Sequence, residues 1–258
     1  MTHPDQFDVA GTVVFVAGGG GAIGRAIGSA YAERGARVAF ASQDPERVAA
    51  AAAPFADRAL GIVFDATDEQ ECASAIDQTV DRFGRVDIIV NAIGGGAGKV
   101  LFDAQDYPRD AWDWIFELNV RGAVLPTQAA VKRMIDQGDG GKVLNICSVR
   151  AQLGIAAGYS AYVAAKGAIA SLTRQWATEW APHGINVNAI SPTFVDTPQV
   201  AMLLADPDFK ASLVDRIPLG RVGTTDDIVG PALFFGSSAS SFVTGQILTI
   251  DGGLTACQ

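Results

Sequence analysis

The chain has 258 residues, 49% hydrophobic and 18% charged, with a formal net charge of −9 at pH 7. That length builds one sizeable core, and so apolar a composition with so little charge excludes a disordered chain. The acidic balance argues against nucleic-acid binding, which needs a basic footprint, and no apolar run approaches the roughly 18 residues that span a bilayer.

Three cysteines (Cys72, Cys147, Cys257) make an odd, widely spaced set, so no disulfide framework is expected. Neither they nor the two histidines stand at metal-ligand spacing, and no metal is expected. Residues 1–11 lack a basic n-region and an apolar h-region, which points to the cytoplasm.

In chain order, short β-branched runs alternate with longer alanine-rich amphipathic stretches. Strands are expected at Thr12–Ala17, Arg37–Ala41, Ala59–Phe64, Val86–Val90, Lys142–Ile146, Ile185–Ile190 and Gln246–Ile250. Helices are expected at Ile23–Arg34, Glu46–Phe55, Glu69–Phe83, Arg109–Gln137, Ala161–Ala181 and Asp226–Phe235. Strand–helix alternation with apolar, non-alternating strands reads as a parallel sheet covered on both faces. No linker divides the chain and no repeat appears, so residues 1–258 are expected to form one doubly wound α/β domain with seven parallel strands, for which the order 3-2-1-4-5-6-7 extends the usual doubly wound order. Its ligand crevice would lie at the carboxyl ends of the strands.

The first strand runs straight into Ala17-Gly18-Gly19-Gly20-Gly21-Ala22-Ile23-Gly24, and a helix follows. Glycines here let the backbone turn tightly and bring its N–H groups to a pyrophosphate at the helix N-terminus. Gly19-x-Gly21-x-x-Gly24 fits the dinucleotide fingerprint, and the strand–loop–helix context strengthens it. An acidic residue is usual at the end of the second strand, to hold the ribose hydroxyls. Here Ser42 occupies that place and Gln43 follows. No carboxylate repels a 2′-phosphate and no Arg or Lys in the segment attracts it, so NADP and NAD are nearly balanced, with a slight lean to NADP. Asp44-Pro45-Glu46 reads as a helix start.

Further on, Tyr162 and Lys166 are i,i+4 neighbours in a helical stretch. An ammonium beside a phenol draws its pKa toward neutrality, as a general acid/base for an alcohol–ketone interconversion requires. Ser148 ends the fifth strand, where its hydroxyl can meet a substrate oxygen. Arg150, two residues on, reads as a solvated loop cation or as a partner for a substrate carboxylate.

With these motifs in order, the chain resembles the short-chain dehydrogenase/reductase family over essentially its whole length. The resemblance is carried by the glycine loop, Asp65, Asn91-Ala92-Ile93-Gly94, Leu118-Asn119-Val120, Asn145-Ile146-Cys147-Ser148, Tyr162/Lys166 and Asn188-Ala189-Ile190-Ser191-Pro192. It implies a catalytic tetrad of Asn119, Ser148, Tyr162 and Lys166. Tyr162 would be the acid/base and Ser148 would polarise the substrate oxygen. Lys166 would lower the tyrosine pKa and bind the nicotinamide ribose, and Asn119 would hold a water in the proton relay. Implied cofactor contacts are Gly18, Gly20, Gly21, Ile23 and Gly24; Ser42 and Gln43; Asp65, at the adenine, and Ala66; Asn91, supporting the sheet, with Ala92 and Gly94; Tyr162 and Lys166; and Pro192, Thr193, Val195 and Thr197 at the carboxamide. Implied substrate contacts are Ser148, Arg150 and Tyr162. The chain departs from the family pattern at Ala17, Ala22 and Thr193, and in a Ser148–Tyr162 spacing one residue longer than usual.

The expected activity is hydride transfer between a nicotinamide and a small polar alcohol or ketone such as a sugar, polyol or sugar acid. A 3-oxoacyl-[acyl-carrier-protein] reductase is the alternative; Asp139 and His183 stand where many such reductases are basic, which disfavours an acidic carrier. A non-catalytic dinucleotide sensor would have lost part of the tetrad. Apolar helices around Ala111–Ile135 and Ala161–Ala181, with the C-terminal strand, suggest a homotetramer. Residues 195–219, two short amphipathic patterns beside the expected nicotinamide, read as a lid with an apolar underside of Met202, Leu203, Leu204, Leu213 and Val214.

Overall fold

Runs such as Val13–Ala17 and Ile88–Asn91 carry no polar side chain before their last residue, so they are stable only where both faces are covered. In the computed structural model, which describes residues 5–156 and 158–257, they form the centre of a seven-stranded sheet. The first four residues of the N-terminal segment lie outside that range. The strands are β1 (Val13–Ala17), β2 (Arg37–Ser42), β3 (Ala59–Val63), β4 (Ile88–Asn91), β5 (Gly141–Ile146), β6 (Ile185–Pro192) and β7 (Ile247–Ile250). All pair in parallel, in the order expected from the sequence, β3-β2-β1-β4-β5-β6-β7. The edges differ from the centre: Val63 on β3 and Leu248 on β7 are exposed.

The register fixes where the chemistry can sit. Ala17 pairs with Ala41 on one side and Asn91 on the other, and Asn91 pairs in turn with Asn145. The carboxyl ends of β2, β1, β4 and β5 therefore open at one level.

The helices are α1 (Ala22–Glu33), α2 (Pro45–Ala52), α3 (Glu69–Phe83), α4 (Arg109–Phe116), α5 (Gly122–Gln137), α6 (Ser160–Trp180), α7 (Ala201–Leu204), α8 (Pro207–Val214) and α9 (Thr225–Gly236). One core lies between the sheet and α1 and α9, and a second between the sheet and α3 and α5. Asp44 caps α2, accepting from the backbone N–H groups of Glu46 and Arg47 at 3.1 Å, with Pro45 at the first position. The expected extension of that helix to Phe55 fails: α2 ends at Ala52 and a 3₁₀ stretch takes over. Pro54 has no N–H to donate and its ring opposes the carbonyl of Ala50.

The expected single helix Arg109–Gln137 is also interrupted. Residues Glu117–Arg121 widen into a π-turn, a form found mostly at functional positions, and Asn119 is at its centre. The Asn119 side-chain amide donates to the Ile115 carbonyl at 3.0 Å, competing for the helical ladder there.

On the α1 side, Gly28 packs directly on the Phe40 ring, which is fully buried. A methyl at Gly28 would overlap that ring, and neither element can retreat from the core. Gly28→Ala is expected to cost about 1–3 kcal/mol as overpacking, or roughly 3–10 °C in Tm. A thermal melt followed by circular dichroism checks this.

Candidate active site

The carboxyl ends of β4, β5 and β6 surround a crevice of about 240 Å³. The structure brings together in its lining Ile23, Ala92, Gly94, Ser148, Arg150, Tyr162, Lys166, Pro192, Thr193, Val195 and Thr197. Tyr162 and Lys166 come from the first turns of α6, and Ser148 caps the 3₁₀ turn Val149–Ala151 that follows β5. Its hydroxyl accepts the Arg150 backbone N–H at 3.2 Å.

Lys166 is buried at 4% exposure, and its ammonium donates to the Ile146 carbonyl at 3.1 Å. Burial pushes its pKa down. The expectation that Lys166 draws the Tyr162 phenol toward neutrality is not met in this arrangement. Burial dominates and pushes the phenol up to about 12, while the Ser148 hydroxyl and, more weakly, the Arg150 charge oppose the rise. The reason is geometric: the ammonium stands 5.8 Å over the Tyr162 ring centroid and is held by Ile146. The protein alone thus keeps the phenol protonated at neutral pH.

Asn119 lies behind the crevice wall rather than in it. Its Oδ1 accepts the Gly95 N–H at 2.9 Å, and its amide donates to the Gly95 carbonyl at 3.1 Å and to Ile115. Both N–H groups are thereby used, so Asn119 can meet a water only as an acceptor through Oδ1. Asn91 also turns inward: its amide donates to Thr127 Oγ1 at 2.7 Å and to Asn145 Oδ1 at 2.8 Å. Ala66 packs in the core. These two contribute no exposed side chain to the crevice.

The glycine loop, Ser42, Gln43 and Asp65 stand at the ends of β1, β2 and β3, beyond the crevice lining. Asp65 accepts from the Thr67 hydroxyl at 2.7 Å and the Thr67 N–H at 2.8 Å; these bonds, with one from Gln43, outweigh burial and lower its pKa. One basic residue beyond Ser42 and Gln43, Arg47, adjoins Ser42 across Gly20. A Cβ at Gly20 would be 2.5 Å from Ser42 Oγ and 3.0 Å from Arg47 Cβ, so the three residues adjoin. Arg47 escaped notice because it reads as an exposed helix position; its Nε pairs with Asp44 at 3.0 Å. The sequence reading also missed Cys147, Tyr159 and Gln199 in the crevice. Tyr159 is legible in retrospect as an aromatic three residues before Tyr162; Cys147 and Gln199 carry no signal.

Residues 195–219 form α7, α8 and their connections. The neck is tied by the Asp196 N–H to the Gly223 carbonyl at 2.8 Å and the Gly223 N–H to the Phe194 carbonyl at 3.1 Å. The expected apolar underside is corrected at Met202, which is 90% exposed; Leu203 lines the crevice, and Leu213 and Ile217 are buried against Leu254 with Phe194 and Phe209. A four-residue helix such as α7 cannot bury alternate turns on one face.

The residues fit a dinucleotide. Gly21 precedes α1 without a side-chain cap, no acid lies in that helix's first turn, and Gly18 adopts φ +86° with Ala92 against it. At the other end of the crevice the buried Thr193 hydroxyl has no partner among the described residues, and Lys166 has donors to spare. This is the architecture of a nicotinamide-dependent oxidoreductase.

Comparisons with known proteins agree. Residues 18–255 match a family model described as enoyl-(acyl carrier protein) reductase. The chain is 35% identical over 258 residues to gluconate 5-dehydrogenase of Gluconobacter oxydans, covering 99% of each chain. It is 34% identical to 2-dehydro-3-deoxy-D-gluconate 5-dehydrogenase of Dickeya dadantii, covering 98% of each. It superposes with a TM-score of 0.90 on a gluconate 5-dehydrogenase from Burkholderia cenocepacia in complex with NADP and tartrate, at 34% identity and with 98% of this chain and 99% of that one covered. The chain belongs to the short-chain dehydrogenase/reductase family. It is an NAD(P)-dependent oxidoreductase.

Gly94, at φ +143°, is the point on which Asn119 and Lys166 converge: a Cβ there would stand 2.7 Å from Asn119 Oδ1 and 2.9 Å from Lys166 Nζ. Gly94→Ala is expected to leave the fold intact by circular dichroism but to cut turnover at least about tenfold, one pKa-unit equivalent of displaced charge. Steady-state kinetics checks it.

Proposed function

We propose that this enzyme interconverts a secondary alcohol and a ketone on a small polar substrate of the sugar, polyol or sugar-acid type, in the cytoplasm. The observation that carries the reading is the convergence of Ser148, Tyr162 and Lys166 on one crevice, with Asn119 fixing its wall. The relatives named for sugar acids support the substrate class.

Tyr162 transfers the proton to or from the substrate oxygen. Ser148, its hydroxyl oriented by the Arg150 N–H, donates to that oxygen and keeps it over the phenol. Lys166, held by Ile146, supplies positive charge and further donors beside them. Gly18, Gly20, Gly21, Ile23 and Gly24 would hold the pyrophosphate, with Asp65 at the adenine, and Ala92, Gly94, Pro192, Thr193, Val195 and Thr197 at the nicotinamide end. When bound there, the nicotinamide supplies the hydride acceptor or donor. Segment 195–219 acts as the lid, with α7 its movable part and the buried Leu213 and Ile217 its anchor. We take the assembly to be a homotetramer, because Phe242 and Leu248 beside β7 and Trp114 on α4 leave large apolar surface exposed.

Tyr162→Phe removes the transferable proton. It is expected to lower kcat by roughly 10²–10⁴-fold while leaving cofactor affinity near wild type by fluorescence titration. Because burial raises the phenol pKa, wild-type alcohol oxidation should quicken as pH rises into the alkaline range, and ketone reduction should slow. A phenylalanine variant that kept a tenth of wild-type turnover would remove the assignment.

Ser42, Gln43 and the adjoining Arg47 favour a 2′-phosphate. Arg47 is exposed and shared with Asp44, so the NADP preference in kcat/KM should be modest, below about a hundredfold. Ser42→Asp places a carboxylate against that phosphate and should turn the preference to NAD by about tenfold or more. Kinetics with both cofactors decides it.

A further inference from the structure

Two side chains bring full positive charge to the crevice, Arg150 and Lys166, and among the described residues no aspartate or glutamate lines it. Lys166 already has its place in the proton-transfer group. Arg150 does not. The residue is 7% exposed overall and forms no ion pair among the described residues, and its guanidinium spends one N–H on the Gly154 carbonyl at 3.0 Å. A guanidinium has five donors in a rigid planar fork. Burying such a charge without a counter-ion costs several kcal/mol, and proteins meet that cost by pairing it. The charge of Arg216, at the lid's anchored end, adds to the imbalance. Arg150 also shares a turn with Ser148, whose hydroxyl accepts the Arg150 backbone N–H, so the two side chains leave the same short turn into the crevice.

We propose that Arg150 is the seat of a substrate carboxylate, so that the enzyme selects hydroxy or keto acids over neutral polyols of the same length. The fork matches a carboxylate in a bidentate geometry, and a carboxylate there cancels the crevice's uncompensated charge. The inference rests on the sugar-type dehydrogenase reading and narrows it. It assigns the selectivity to the turn after β5 rather than to the proton-transfer residues.

The test compares D-gluconate with sorbitol, which differ at the end carbon in carboxylate against hydroxymethyl. Isothermal titration of the NADP-loaded enzyme should give gluconate the tighter Kd by roughly tenfold to a hundredfold, the range for hydrogen bonds to a charged group. Arg150→Met should abolish that ratio, and Arg150→Lys, which keeps the charge without the fork, should restore part of it. Equal wild-type affinities would overturn the proposal without recourse to any variant. So would a parallel loss of both ligands in the two variants, or a loss of NADP affinity in place of the gluconate preference. Turnover measured alongside separates the two readings: a gluconate preference in binding with neither compound oxidised sinks the dehydrogenase assignment and leaves the carboxylate seat standing.

Discussion

The crevice is organised by a constraint on charge: two cations are buried at the carboxyl edge of the sheet, and among the described residues neither has a carboxylate of its own. Lys166 is held by the Ile146 carbonyl and Arg150 by the Gly154 carbonyl, single neutral acceptors that position a charge without cancelling it. Had either been paired with an aspartate, the ion pair would be more comfortable and chemically idle, since its donors and its field would be spent. The same burial that leaves the cations unsatisfied pushes Tyr162 toward its neutral form. Phenol, ammonium and guanidinium are thus each held in an environment that favours the arrival of a polar, electron-rich ligand.

Holding those groups in place requires rigidity just behind them, and the sheet supplies it with neutral hydrogen bonds. Asn145 donates to Thr173 on α6 at 2.9 Å and accepts from Asn91, which also donates to Thr127 on α5. The two threonines bond back to their own helices, at Ala123 and Ile169. This line of amides and hydroxyls ties the ends of β4 and β5 to α5, which follows the π-turn of Asn119, and to α6, which carries Lys166. Each such bond contributes only about 1 kcal/mol, so its value is in register rather than in stability. The Asn119 bonds to Gly95 continue the line into the crevice wall.

Much of this was legible in the sequence because it is periodic or covalently local. The helix-covered parallel sheet follows from the alternation of apolar runs with amphipathic ones, the strand order from the resemblance to the family and its doubly wound fold, and the cap at Asp44 from three adjacent residue types. What the sequence concealed depends on packing. The π-turn at Asn119 arises when a side chain competes for the Ile115 carbonyl, and no residue type announces that. Lys166 at i+4 from Tyr162 suggests an ammonium bonded to the hydroxyl; in the structure it stands 5.8 Å over the ring centroid and donates to the Ile146 carbonyl. Arg47 and Ser42 are five positions apart in the chain, and the fold sets both against Gly20. The lid's underside was misjudged at Met202 because hydrophobicity alone does not say which turn of a short helix faces the protein.

The charge of the whole chain and the charge of the crevice have opposite signs, and their ranges decide which governs an anionic ligand. At physiological ionic strength the Debye length is about 8 Å, so the net charge of −9 neither steers nor repels strongly at a distance. Within the crevice the balance reverses. A unit charge pair at 4 Å is worth about 1 kcal/mol in water but about 4 kcal/mol at the effective dielectric of a protein's interior edge. A chain with no long-range attraction for anions must therefore obtain both affinity and selectivity after contact, from desolvated donors such as those of Arg150 and Lys166. Their effect rises as water is excluded, which gives segment 195–219, bearing Leu203 at the crevice and Arg216 at its anchored end, a physical reason to lie where it does.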